Sequence, residues 1–101
     1  MDRLHFHYSF GPAVEWADVQ SSLLLALWAT EAVHGRAGTH LEAIYVVDDT
    51  TRTCKIETST SVGTDFNRIF AGFLLREFGP EGFQVTRLVN PPKQERDPCQ
   101  A

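Results

Sequence analysis

Apolar and polar residues alternate over residues 3–10, close to the start of the chain. One side of this alternation carries Leu4, Phe6, Tyr8 and Phe10, and the other carries His5, His7 and Ser9. A period of two sends successive side chains to opposite faces of a strand. The pattern therefore predicts a half-buried β-strand, which the following Gly-Pro pair ends.

Two longer stretches have apolar residues at helical spacing. The first covers residues 14–33, and its apolar stripe is broad because Leu25 lies outside the two main apolar rows. The second ends at residue 78 and begins near Ser61 or Thr64, either of which could be its N-cap. We expect both stretches to be α-helices, each stopped by a glycine.

Three further stretches, residues 40–47, 52–59 and 83–89, have the pattern of strands, and residues 36–39 are expected to form a short loop. The predicted order is β-α-β-β-α-β. Short connections and right-handed crossovers favour a ferredoxin-like α+β sandwich, with a four-stranded antiparallel sheet and both helices on one face. In that layout the first and third strands are in the middle of the sheet.

The length and composition fit one domain. The chain has 101 residues, and we expect residues 1–90 to form the single α+β domain. Residues 91–101 begin with two prolines and are otherwise mostly polar, which predicts a disordered C-terminal tail.

The charge balance lowers the expectation of nucleic-acid binding. Lys and Arg number 9 against 13 Asp and Glu, giving a formal net charge of −4. A non-specific nucleic-acid binder needs surplus cations, and so does a protein that binds an anionic membrane surface. The longest near-continuous apolar run, residues 23–29, is too short to span a bilayer. We therefore predict a cytoplasmic protein, and the two cysteines, at positions 54 and 99, lack the spacing of a metal or redox pair.

The open face of the predicted sheet offers one candidate ligand site. His5 and His7 project from the same side of the first strand, and Glu57 on the third strand is a possible cross-strand neighbour. Two imidazoles and a carboxylate can bind a metal or act as acid and base if they converge. The alternative is that these residues are polar only because that face is wet.

A second candidate is the hydroxyl-rich segment before the second helix. Ser61, Gly63 and Thr64 could hold an anion at the helix start, where backbone N–H groups point outward. The segment lacks the lysine and the spacing of a P-loop, and capping alone would also explain its residues.

A third candidate is surplus apolar surface. It comprises Trp16, Leu25, Trp28, Ile44 and Val46. A contiguous exposed apolar patch usually marks a partner surface, whereas apolar residues scattered singly over a surface need no explanation. Both interpretations remain open from the sequence.

These observations favour a non-enzymatic protein-interaction or oligomerisation module, with self-association or another protein as the partner. We assign no catalytic residue, no metal ion and no cofactor from the sequence, because no nucleophile elbow or metal-ligand spacing is present. The alternative is a small-ligand or metal-dependent enzyme that uses His5, His7 and Glu57 on the open sheet face.

Overall fold

The computed structural model describes residues 3–90, without the side chains of Arg3 and Asn90. These residues form an α+β fold with a four-stranded antiparallel sheet and three helices, which confirms the predicted class. The elements are β1 (Arg3–Phe10), α1 (Trp16–His34), α2 (Arg36–Glu42), β2 (Tyr45–Asp48), β3 (Thr53–Glu57), α3 (Ser61–Phe78) and β4 (Phe83–Asn90). The predicted disordered tail, residues 91–101, lies outside the described residues.

The predicted β-α-β-β-α-β order is wrong, because the observed order is β-α-α-β-β-α-β. The loop expected at residues 36–39 and the first half of the strand expected at 40–47 form the helix α2. Its backbone bonds run from Thr39 N to Gly35 O (3.1 Å) and from Ala43 N to Thr39 O (2.9 Å). Gly35 ends α1 and precedes α2, and its φ of 86° is a backbone conformation that glycine adopts without steric cost. Within the strand predicted at residues 40–47, only residues 45–47 belong to a strand, β2.

The sheet order is β2-β3-β1-β4, so β1 and β3 are the central strands. The register pairs Tyr8 of β1 with Cys54 on one side and with Val85 on the other. Because side chains alternate along a strand, Tyr8, Cys54 and Ile56 lie on the same face of the sheet. His5 and His7 consequently lie on the opposite face.

The core lies between the Tyr8 face of the sheet and the two long helices. From the helices it includes Val19, Leu23, Ala26, Phe66, Phe70 and Leu74, all of which are buried with Tyr8, Cys54 and Ile56. The rings of Tyr8 and Phe70 meet edge to face with centroids 5.1 Å apart. The Tyr8 hydroxyl donates to Asn67 Oδ1 at 2.5 Å, which satisfies the polar end of a fully buried side chain.

Polar contacts fix the ends of the helices and the hairpin. His34 Nε2 donates to Asp65 Oδ2 at 2.7 Å, joining the end of α1 to the first turns of α3. In the turn between β2 and β3, Asp48 Oδ1 accepts from Thr50 N at 3.0 Å and from Thr51 N at 3.2 Å. Aspartate is favoured in turns because its side chain accepts hydrogen bonds from backbone N–H groups two or three residues further on.

Candidate functional site

His5 and His7 lie on the open face of the sheet but have different neighbours. The register sets His5 opposite Glu57 and His7 opposite Lys55. His5 is only 8% exposed, although it lies on the face expected to be wet. A hollow of about 100 Å³ beside it is lined by Ile44, Val46 and Glu57 among others. The structure therefore brings His5 and Glu57 together and places a cation, not a carboxylate, opposite His7.

This arrangement gives little support to a metal site on the open face. Within residues 3–90, no group of three His, Cys, Asp or Glu side chains is placed to hold a metal ion. Lys55 would repel a cation held by His7, because the two residues are direct cross-strand neighbours. Among the described residues, His5, His7 and Glu57 are therefore not gathered into a set of three metal ligands.

The start of α3 uses its polar groups within the fold. The N-cap is Thr60, rather than the predicted Ser61 or Thr64, and its Oγ1 accepts from Gly63 N at 2.9 Å. Thr64 Oγ1 donates to Thr60 O at 2.9 Å, and Ser61 is exposed. Gly63 is buried so closely against β3 that an added Cβ would lie 2.3 Å from Glu57 O. Capping and packing explain these residues, so the anion site gains no support.

Cys54 is buried in the sheet and is unsuited to nucleophilic chemistry. Its side chain is 2% exposed and belongs to the core. Burial raises the pKa of the Cys54 thiol to about 12, because desolvation disfavours the thiolate. Since the thiolate is the reactive form, this residue behaves as a small core side chain at neutral pH.

Trp16 belongs to the fold more than to a free surface. Its ring meets Phe10 edge to face with centroids 5.9 Å apart, and it is only partly exposed. Its Nε1 donates to Asp49 Oδ1 at 3.0 Å, so the indole ties the start of α1 to the β2–β3 turn. These contacts give Trp16 a structural role that the sequence pattern did not reveal.

Leu25 and Trp28, by contrast, lie in an exposed apolar cluster on α1. Leu24, Leu25 and Trp28 are 46%, 52% and 56% exposed. Their spacing of three and four residues makes Leu24 and Leu25 each a neighbour of Trp28 on the helix surface. We call these three residues the α1 patch. Leu24 is not among the surplus apolar residues predicted from the sequence, so this member was missed.

A groove separates α1 from the edge strand β2 and continues the α1 patch. It has a volume of about 380 Å³. Its lining consists of Gln20, Leu23, Leu24, Leu27, Tyr45, Val47 and Asp49. Leu24 belongs both to this lining and to the α1 patch, so the two apolar surfaces are continuous. We call this feature the α1–β2 groove.

Ile44 and Val46 lie at the β2 edge of the sheet, on the open face that also carries His7. Ile44 is 48% exposed and Val46 is 59% exposed. Val46 pairs with Lys55 of β3, which places it on the His7 side of the sheet. Both faces of β2 therefore present apolar side chains at one edge.

Comparison with known proteins assigns no role to these surfaces. No protein family matches the chain, and neither a curated protein nor a solved structure is significantly similar to it. Within the part of the chain that the structure describes, no helix is long and apolar enough to cross a membrane. The α1 patch and the edge of β2 are the surfaces whose geometry points to a function.

Proposed function

We propose that this protein is an interaction module that self-associates through the α1 patch and the α1–β2 groove. The observation that carries the proposal is the continuity of exposed Leu24, Leu25 and Trp28 with a groove beside an edge strand, lined mainly by apolar residues together with Gln20 and Asp49. Contiguous exposed apolar residues beside a groove are a common feature of protein–protein interaction surfaces.

The energetics favour covering this surface. Fully burying one large apolar side chain contributes about 1.5–3 kcal/mol relative to leaving it exposed. Leu24, Leu25 and Trp28 all retain about half of their accessible surface, so a partner would remove further apolar area from water at each of them. Aromatic anchors such as Trp28 are typical of the residues that dominate binding energy at interfaces.

We infer that the sandwich is a variant of the ferredoxin-like arrangement in which α2 is added to the crossover between β1 and β2. The sheet order β2-β3-β1-β4, with the first and third strands central, supports this relationship. Fold alone carries no function, so the interaction proposal rests on the surface.

A cytoplasmic location is proposed with it. Cys54 is a buried thiol without a disulfide partner among the described residues. Thiols that persist in this form are typical of reducing compartments.

Charges placed in the α1 patch should prevent association. We expect the double variant Leu25→Glu/Trp28→Glu to raise the dissociation constant of the assembly at least about tenfold, because each carboxylate would have to be desolvated at the interface. Sedimentation velocity over a concentration series measures this constant. Circular dichroism should show an unchanged fold, since both side chains are already exposed.

The matched control is Leu75→Glu, which alters an exposed leucine on α3 instead of α1. It should leave the dissociation constant unchanged. A wild-type chain that stays monomeric at all concentrations would contradict the proposal. So would a double variant that associates as strongly as the wild type.

A further inference from the structure

We infer that the partner at β2 is the β2 strand of a second copy, paired antiparallel about a two-fold axis at Val46. This pairing would join the two sheets into one sheet of eight strands. The inference rests on the proposed self-association and specifies the contact through which it occurs.

The backbone of β2 has groups directed away from its own sheet. Glu57 N donates to Ile44 O at 2.9 Å, so Ile44 forms a hydrogen-bonded pair with Glu57. Hydrogen-bonded and non-bonded positions alternate along an antiparallel pair. Val46 and Asp48 therefore bond to β3, whereas the N–H and C=O groups of Tyr45 and Val47 point outward. Within residues 3–90 no strand lies beyond β2 to receive them.

This edge has only part of the protection that proteins normally give to exposed strands: β2 is short, with four residues, and its last residue is Asp48. Residues 44–47 contain no charged residue and no proline, and the pairing of β2 with β3 continues without a bulge. Edges are usually blunted by charges, prolines or bulges because an open edge is a template for another strand. The opposite edge, β4, carries Arg87 in mid-strand. The occupant best suited to β2 is therefore an extended, apolar strand.

The register follows from which residues can exchange hydrogen bonds. With the two-fold axis at Val46, Tyr45 faces Val47 of the second copy and Val47 faces its Tyr45. Each of these two pairs can exchange two hydrogen bonds, because all of the groups involved point outward. The result is four backbone bonds across a four-residue strand.

Other positions of the axis are less favourable. An axis at Tyr45 would set Val47 against Ala43, whose N–H already bonds to Thr39 O at 2.9 Å. An axis at Val47 would set Tyr45 against Asp49, which belongs to the turn. An axis at Asp48 would oppose two like carboxylates, which is repulsive.

Charge and side-chain chemistry agree with a second copy as the occupant. With the axis at Val46, Asp48 faces Ile44 of the second copy, so no like charges stand opposite each other. On the open face the two Val46 side chains meet each other. Tyr45 and Val47 lie on the helix face and line the α1–β2 groove of their own copy. In the pair, they also lie beside the α1–β2 groove of the second copy. The contact is therefore self-complementary, as a two-fold interface requires.

Charge substitutions at the axis test this register. Val46→Lys and Val46→Glu should each raise the dissociation constant at least about tenfold, because like charges would face each other across the axis. An equimolar mixture of the two variants should associate again, since lysine then faces glutamate. The control Val85→Lys places the charge on an exposed position of β4 and should leave association unchanged.

Cross-linking provides the second test, in a Cys99→Ser background. Val46→Cys should form a disulfide-linked dimer on mild oxidation, because a non-hydrogen-bonded antiparallel pair brings Cα atoms within about 5 Å. Ile44→Cys should not, because Ile44 faces Asp48. An assembly that persists in Val46→Lys without a Val46→Cys cross-link would overturn this inference but leave self-association through α1 intact. A monomeric wild type would overturn both.

Discussion

Replacing Phe70 with alanine is expected to cost about 3–5 kcal/mol of folding free energy. Phe70 is fully buried on α3 and meets the ring of Tyr8 in the middle of the sheet. Removing the ring loses both the transfer free energy of the side chain and the packing around the cavity that remains. Because domains of this size are commonly stable by only about 5–15 kcal/mol, the variant should be close to unfolding at ambient temperature.

Urea denaturation followed by fluorescence measures this loss. The control is Leu75→Ala on the same helix, where the side chain is exposed, and its cost should be about 0.5 kcal/mol or less. A loss below about 1 kcal/mol for Phe70→Ala would show that the core is not packed around this ring.

Two glycines of α3 should respond to alanine with opposite signs. An added Cβ at Gly63 would lie 2.3 Å from Glu57 O, a backbone atom that cannot move without shifting the end of β3. Overpacking of this kind typically costs about 1–3 kcal/mol, so Gly63→Ala should destabilise the protein despite the better helix propensity of alanine. Gly72 has nothing within 4 Å of an added Cβ, and Gly72→Ala should stabilise the protein by about 1 kcal/mol.

Thermal or urea unfolding of the two variants, measured side by side, checks this pair. The comparison separates packing from propensity because both substitutions are identical and lie in one helix. A stabilising effect of Gly63→Ala would mean that α3 does not approach β3 as closely as the structure places it.

The elements with long, regular patterns could be predicted from the sequence. The strand at residues 3–10 has eight residues with unbroken alternation, and β1 covers the same residues. The helix α1 begins two residues after and ends one residue after the predicted range 14–33. The helix α3 ends at residue 78, as predicted. In each case many residues repeat one period, so the pattern is strong enough to fix the element.

The short helix α2 could not be predicted in this way. It has seven residues, about two turns, and no side chain bonds to its N-terminus. A helix of this length is marginal by itself, and tertiary contacts decide whether it forms. Thr39 is its buried residue, which shows that α2 is held from its inner side. The alternation of residues 40–42 is a local pattern that this packing overrides, whereas residues 45–47 do form part of a strand.

The candidate surfaces were only partly predictable for a similar reason. Exposure of Leu25, Trp28, Ile44 and Val46 followed from the excess of apolar residues over the faces available to bury them. Trp16 differed, because its hydrogen bond to Asp49 depends on a turn 33 residues away in sequence. Contacts between distant segments are not encoded in a periodicity, so such partners become evident only in the folded chain.

The proposal that β2 is the edge through which two copies associate is tested most directly by amide hydrogen exchange. Exchange rates of Tyr45 and Val47 should be measured by NMR at protein concentrations about tenfold below and tenfold above the dissociation constant. We predict rapid exchange at the low concentration and strong protection at the high one, because the second copy accepts these outward N–H groups. Val46, which bonds to β3, should be protected at both. Equal, rapid exchange of Tyr45 and Val47 at both concentrations would contradict the proposal.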